Sequence, residues 1–358
     1  MSAVPIQNVY YLLCYAWNKL EEGEVVDIGA INSTRLVDLF AKVLAGGTHH
    51  LIRRGFDRGY LSFAEDAGRV KGKVDFALSL KRNLLARGSA HCLFDELDYN
   101  VLHNRILKTT VSRLIYADEL DDRLREELRE VSRWLREVEP VRLTTQVFRR
   151  VQLHRNNQFY AFLLNICELV YHHLLVDERG GRGRFRDFLR DEAAMAGLFE
   201  AFVRNFYRLE QDELKVMSLK IDWQARYDEP TAGLLLPEMR TDVCLVGGRR
   251  RVIIECKYYK ETLQKNWGKS SVHSQHLYQL FAYLKNKEVD PGWEQCDGVL
   301  LYPTVGMPLH LTYEISGHRV QVKTVNLDQD WRGIEEDMLR TVNVRKSVRK
   351  SMQRVLAM

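Results

Sequence analysis

Two carboxylates and a lysine set the chemistry open to this sequence. Asp242 ends the stretch Pro237-Glu238-Met239-Arg240-Thr241-Asp242, and Glu255 and Lys257 follow the apolar run Val252-Ile253-Ile254. Thr241 to Val246 and Arg251 to Tyr258 are rich in β-branched and apolar residues, with Gly247-Gly248 between them, a pattern that predicts a two-stranded hairpin. Side chains alternate along a strand, so Ile253, Glu255 and Lys257 point one way. With Gly247-Gly248 as a two-residue turn, Asp242 falls opposite Ile253. A four-residue loop sets it opposite Glu255, and a three-residue loop turns it away. Two of these three registers gather both acids and the lysine on one face.

Two carboxylates ~4 Å apart repel by roughly 4 kcal/mol at an effective dielectric of about 20, so such a pair calls for a cation. Mg²⁺ takes one or two carboxylates, keeps several waters and meets a phosphate. Lys257 is placed to orient or help deprotonate an attacking water and to offset phosphate charge. The array suits metal-assisted phosphodiester hydrolysis, with Asp242 and Glu255 as the ligands of Mg²⁺. The plainer alternative is a strand whose acids and lysine merely face solvent.

The pattern resembles the PD-(D/E)xK nuclease superfamily, with Asp242 as first acid, Glu255 as second and Lys257 as the lysine. The proline stands five residues before Asp242 instead of next to it. Leu198-Phe199-Glu200 opens an apolar-periodic helix where such nucleases carry an accessory glutamate, so Glu200 is either a ligand or a more distant charge. Gln279 and Tyr283 lie one helical turn apart and share a face, similar to the QxxxY motif of RecB-like nucleases.

These residues sit in a chain of 358 residues, long enough for about two domains. Its 46% hydrophobic and 28% charged content is that of a soluble globular protein, and no apolar run reaches the length of a membrane span. Six scattered cysteines without a C-x-x-C pair read as reduced, mostly buried thiols, and no signal-like core opens the chain, so a cytoplasmic protein is expected. The net charge of +5 permits nucleic-acid contact without demanding it.

In chain order, the aromatic stretch 7–20 predicts a buried helix or strand-to-helix element that Asn8 could cap. A second helix is expected from Ser33 to about Ala45, stopped by Gly46-Gly47. Residues 51–80, with Gly55, Gly59, Gly68 and Gly72, predict small strands and turns. They carry the basic cluster Arg53, Arg54, Arg58, Arg69, Lys71 and Lys73, which fits DNA, an acidic protein surface or simply solvent. Helices are expected from Leu102 to Tyr116, over 118–137 up to Pro140, and from Tyr160 to Val176. The glycine- and arginine-rich run 178–184 is a loop, with or without phosphate contacts. Beyond Asp187 the expected order is a helix through Glu200 and Phe206, strands near 216–223, the hairpin, a helix at 274–286, and strands at 297–302 and 309–325.

Several motifs lead elsewhere or stay open. Trp267-Gly268-Lys269-Ser270-Ser271 imitates the end of a P-loop, but Leu263 stands where that motif needs glycine. His273 and His276 are either a metal pair or polar edge residues that meet phosphate. Lys260, Lys265 and Lys269, with Trp267, form a basic loop suited to the DNA backbone. The basic terminus Arg345-Lys346-Ser347-Val348-Arg349-Lys350 is a frayed helix end or a DNA-facing tail.

End to end, the chain resembles the McrC subunits of McrBC-type modification-dependent restriction systems. The stretches that carry the likeness include Asn8-Val9-Tyr10-Tyr11-Leu12-Leu13-Cys14-Tyr15-Ala16-Trp17, Phe94-Asp95-Glu96-Leu97 and Asn104-Arg105-Ile106-Leu107-Lys108. Arg184-Phe185-Arg186-Asp187-Phe188, Glu255-Cys256-Lys257-Tyr258-Tyr259, His273-Ser274-Gln275-His276-Leu277-Tyr278-Gln279-Leu280 and Thr324-Val325-Asn326-Leu327 complete it. The resemblance implies an α+β N-terminal domain (1–157) that docks into a GTP-hydrolysing AAA+ ring of the McrB type, a hexamer, and stimulates it. It also implies an α/β endonuclease domain (158–358), with a central mixed sheet flanked by helices, that cuts DNA. The partner then recognises methylcytosine in double-stranded DNA. Residues 50–80, Arg53 and Arg54 among them, are expected at the ring contact. A stand-alone RecB-like nuclease and a non-catalytic activator of the GTPase ring remain as alternatives.

Overall fold

The computed structural model describes residues 4–29, 33–154, 157–176, 183–186, 188–229, 231–258, 263–266, 269–304 and 308–347. The chain divides into two compact units, Met1–Glu24 with Asp187–Met358, and Val25–Arg186. The expected division at 157/158 lies elsewhere because two helices bury their apolar faces across it. Ile6–Ala16 packs with Glu192–Glu210, and Gln158–His173 packs with Leu36–Arg54.

In the first unit, six strands form one mixed sheet, in the spatial order His310–Ile315, His318–Asn326, Asp297–Thr304, Arg250–Cys256, Val243–Gly247, Lys215–Met217. Asp297–Thr304 runs parallel to both Arg250–Cys256 and His318–Asn326, and the other pairs are antiparallel. The parallel step from Arg250–Cys256 to Asp297–Thr304 needs a crossover, and the helix Ser274–Lys287 supplies it. That helix approaches closely because Gly298 has no side chain. A Cβ there would stand 2.9 Å from Leu284 Cδ1 and 3.0 Å from Leu280 Cδ2. Ile253, Leu280, Tyr283, Leu284, Leu300 and Val322 join in one buried cluster.

The helices Ile6–Ala16, Glu192–Glu210 and Trp331–Thr341 share an aromatic cluster. Tyr11 stacks on Trp331 at 4.8 Å, Tyr15 on the same ring at 5.5 Å, and Phe202 meets it edge-on. Asn205 Nδ2 donates to the carbonyls of Tyr15 and Ala16, taking up free acceptors at the first helix's C-terminal end. Asn8 is not the expected cap. Pro5 holds that position, and Asn8 lies buried inside the helix, where its Nδ2 donates to Leu327 O and Gln329 O, both at 2.8 Å.

In the second unit, the helix Leu36–Arg54 continues through Gly46-Gly47, where the sequence predicts a stop. The glycines serve packing instead: a Cβ on Gly47 would lie 2.4 Å from Leu163 Cδ2, and one on Gly46 3.0 Å from Val26 Cγ1. Leu102–Ile115, Asp122–Trp134 and Gln158–His173 complete the larger helices of this unit. A β-lobe follows the first of its helices. Gly59–Ala67 pairs antiparallel with Ala90–Asp98, Lys73–Val74 adds a short third strand, and Phe76–Lys81 is a helix capped by Asp75 through the Leu78 N–H. Arg53 and Arg54 sit on the last turn of Leu36–Arg54, exposed, and not on a strand. At the lobe's root, Tyr160 OH donates to Asn104 Oδ1 (2.8 Å) and accepts from the Asp57 N–H, while Asn104 Nδ2 donates to Asp57 O and Tyr99 O.

Gly47→Val should overpack this helix crossing and cost about 1–3 kcal/mol. A thermal melt should show a midpoint several degrees lower, with Gly47→Ala in between. A Gly47→Val midpoint equal to wild type would contradict the crossing.

Candidate active site

The hairpin at 243–256 sets the register of the site. Arg250 pairs with Gly247 and Ile254 with Val243, so the turn is Gly248-Arg249, with Gly248 at φ +52°. Continued by one step, this register places Asp242 opposite Glu255. That is the alignment expected of a four-residue loop, reached with a two-residue turn one position later. Glu255 is the sixth residue of a strand buried from Val252 onward, and it is itself 1% exposed. Asp242 is half-buried, and its Oδ2 accepts the Cys256 N–H at 2.8 Å, which ties the first acid to the backbone beside the second.

Lys257 Nζ lies 2.7 Å from Glu255 Oε1 and 2.8 Å from Gln279 Oε1. Gln279 Nε2 donates to Tyr283 OH at 2.8 Å, and that hydroxyl donates onward to Arg240 O at 3.1 Å. The tyrosine's single proton is committed to a carbonyl, so it accepts from the glutamine. This fixes the amide with its oxygen toward the lysine. Glu200 pairs with Arg204 one turn along the same helix, and Arg204 Nε donates to Asp242 O at 3.0 Å. Asp242, Glu255, Lys257, Gln279, Tyr283 and Glu200 therefore belong to one constellation.

Burial dominates the electrostatics. It pushes the Glu255 carboxyl up to about 7, with the Asp242 charge adding to the rise and Lys257 opposing it. It pushes Asp242 up to about 6, against the Cys256 N–H and with the charge of Glu200. Glu255 Oε2 is buried without a hydrogen-bond partner. An orphaned carboxylate oxygen beside a second acid is the donor set of a hard divalent cation, which Asp242 and Glu255 could hold. Among the described residues, no group of three or more His, Cys, Asp or Glu is gathered for a metal.

The other expected residues distribute differently. His273 occupies the N-cap position of Ser274–Lys287, and its ring stacks on that of His276 at 4.8 Å. His276 is buried against Tyr302 OH at 2.8 Å, and burial, with the charges of Lys257 and His273, pulls it down to about 4. A neutral core imidazole is its role here. Lys265 and Lys269 lie on the paired strands Leu263–Asn266 and Lys269–Val272, and Lys260 falls outside the described residues, as do Trp267 and most of 178–184. Arg53 and Arg54 belong to the second unit. Sequence reasoning passed over Arg204, although its i,i+4 spacing from Glu200 was visible.

Both acids hold their protons more tightly folded than unfolded, so they favour the folded state at low pH and lose that contribution as pH rises through about 6 to 7. In chelator, Asp242→Asn should exceed wild type in stability at pH 8 by an amount on the order of 1 kcal/mol, and the difference should shrink by pH 5. Urea unfolding at the two pH values tests this, and a pH-independent difference would count against the buried pair.

The family described as McrBC 5-methylcytosine restriction system component matches residues 8–303. The chain is 32% identical over 336 residues to the Escherichia coli (strain K12) protein named Type IV methyl-directed restriction enzyme EcoKMcrBC, covering 94% of this chain and 96% of that one. Its fold is similar to a chain in the refined half-complex from the tetradecameric assembly of Thermococcus gammatolerans McrB AAA+ hexamers with bound McrC. The TM-score is 0.62 at 16% identity, over 95% of this chain and 75% of that one. From the extent of the family match and the identity to the bacterial enzyme, the chain belongs to the McrBC 5-methylcytosine restriction system component family.

Proposed function

We propose that this chain is the McrC-type, DNA-cleaving subunit of a methylcytosine-dependent restriction complex, and that it hydrolyses phosphodiesters with Mg²⁺ at Asp242, Glu255 and Lys257. The observation that carries this is the buried pair of acids, its orphaned Glu255 Oε2, and the lysine fixed beside them. When bound, Mg²⁺ would supply charge compensation for the scissile phosphate and acidify a water. The chain's own residues do the rest. Asp242 and Glu255 present oxygens held by strand pairing, so little reorganisation accompanies binding. Lys257, steered by Glu255 and Gln279, presents an ammonium to the attacking water or a phosphate oxygen. Glu200, held by Arg204, keeps the local field negative and so favours a cation.

The second unit would dock to a GTP-hydrolysing AAA+ ring and stimulate it. The assembly found by structural likeness joins McrB hexamers to bound McrC. The β-lobe offers a surface for such a contact. Tyr60 is 77% exposed, and Val70, Phe76, Leu80, Leu85 and Leu97 are also exposed, an apolar concentration on one small lobe. Cytoplasmic action follows from the same reading.

Cleavage of methylated duplex with Mg²⁺, GTP and the AAA+ partner should fall by at least about 10²-fold in Asp242→Ala and Lys257→Ala, with GTPase stimulation retained. Undiminished cutting by either variant would displace the site. Conversely, Tyr60→Asp with Phe76→Asp, or Arg53→Ala with Arg54→Ala, should reduce GTPase stimulation. Stimulation at the wild-type level would remove the altered residues from the contact. A wild type that stimulates the GTPase but never cuts would leave the activator alternative.

A further inference from the structure

The second unit holds a cavity of about 640 Å³ between the helices Leu102–Ile115 and Asp122–Trp134. Four cations line it: Lys108, Arg129, Arg133 and Arg136. No acid is among its described lining residues. Lys108 Nζ donates to Leu135 O at 2.6 Å and Arg136 O at 3.1 Å, covering carbonyls at the end of the second helix that would repel an anion. Arg129 shares its guanidinium with Glu126. Among the described residues, neither Arg133 nor Arg136 has an ion pair, and both are exposed. Arg129 and Arg133 lie one helical turn apart, about 6 Å along the axis, and Arg136 follows in the turn just past the helix end.

We propose that this groove binds the sugar–phosphate backbone of duplex DNA, a contact additional to the one made at the cleavage site; the proposal rests on DNA being the substrate. Arginine forks match phosphate oxygens in pairs. Ser112 and Ser132 add hydroxyl donors in the same cavity. One aromatic ring, Tyr116, stands in the lining and is 64% exposed. A groove with four cations, two hydroxyls and no acid in its lining fits a continuous polyanion better than it fits an acidic peptide, whose carboxylates alternate with other side chains.

The test is anisotropy of a labelled duplex in chelator across a salt series, with the full chain alone and with its AAA+ partner. The groove variant is Arg133→Ala with Arg136→Ala. Arg332→Ala with Arg340→Ala removes the same charge from exposed positions of the other unit. The groove variant should bind about tenfold more weakly, with a log–log salt slope shallower by about 1.8, two contacts' worth. The control pair should keep the wild-type slope, and Arg133→Lys with Arg136→Lys should recover most of it. A groove variant matching wild type in affinity and slope overturns the proposal. So does a loss confined to binding the AAA+ ring, which would assign the groove to an acidic protein surface, or a loss confined to labelled GDP, which would assign it to a free nucleotide. A wild type that binds no duplex at all would instead overturn the DNA-cleaving reading along with this one.

Discussion

Desolvation of two neighbouring carboxylates is the constraint around which the first unit is arranged. Glu255 is carried on a strand flanked from Val252 to Cys256 by buried apolar side chains, and Asp242 is brought beside it by the hairpin register. Each acid is costly there as an anion, and the cost rises because the other is close. The surroundings answer with directed partners: a backbone N–H on Asp242, an ammonium on Glu255 Oε1, and a guanidinium between Glu200 and the Asp242 carbonyl. One carboxylate oxygen is left over. A site that satisfies all but one of its buried oxygens is suited to a ligand that arrives with positive charge.

The second unit anchors its β-lobe through a small buried polar network. Asn104, Tyr160 and the Asp57 backbone bond to one another at the root of the β-lobe, and several apolar side chains are exposed on the lobe itself. Satisfied networks of this kind hold a segment in one orientation. Fixing the root lets a small three-stranded lobe present exposed rings and leucines without its own large core.

Much of this was legible in the sequence where local pattern and packing agree. The alternation around Glu255 and Lys257, and the spacing of Gln279 and Tyr283, follow from strand and helix periods, and the structure places those residues together. The exact turn did not follow, because Gly247, Gly248 and Arg249 permit more than one two-residue loop. Gly46-Gly47 read as a helix stop because glycine is a poor helix former. Only the approach of Leu163, over a hundred residues later, shows that absent side chains were needed. Asn8 read as a cap because local rules favour it, whereas its partners are the carbonyls of Leu327 and Gln329. Long-range contacts of this sort carry no short-range signature.

The membership of Ile6–Ala16 in the unit that begins at Asp187 also shapes how the protein is made. The face that covers this helix, Glu192–Glu210, is synthesised more than 170 residues after it. At translation rates of about 5–20 residues per second, this leaves an aromatic, almost uncharged segment waiting on the order of ten to forty seconds. During that interval Val25–Arg186 can complete its own core, so the inserted unit has the opportunity to fold first. The first unit must then close around a helix made long before most of it, which leaves that helix in need of protection from aggregation.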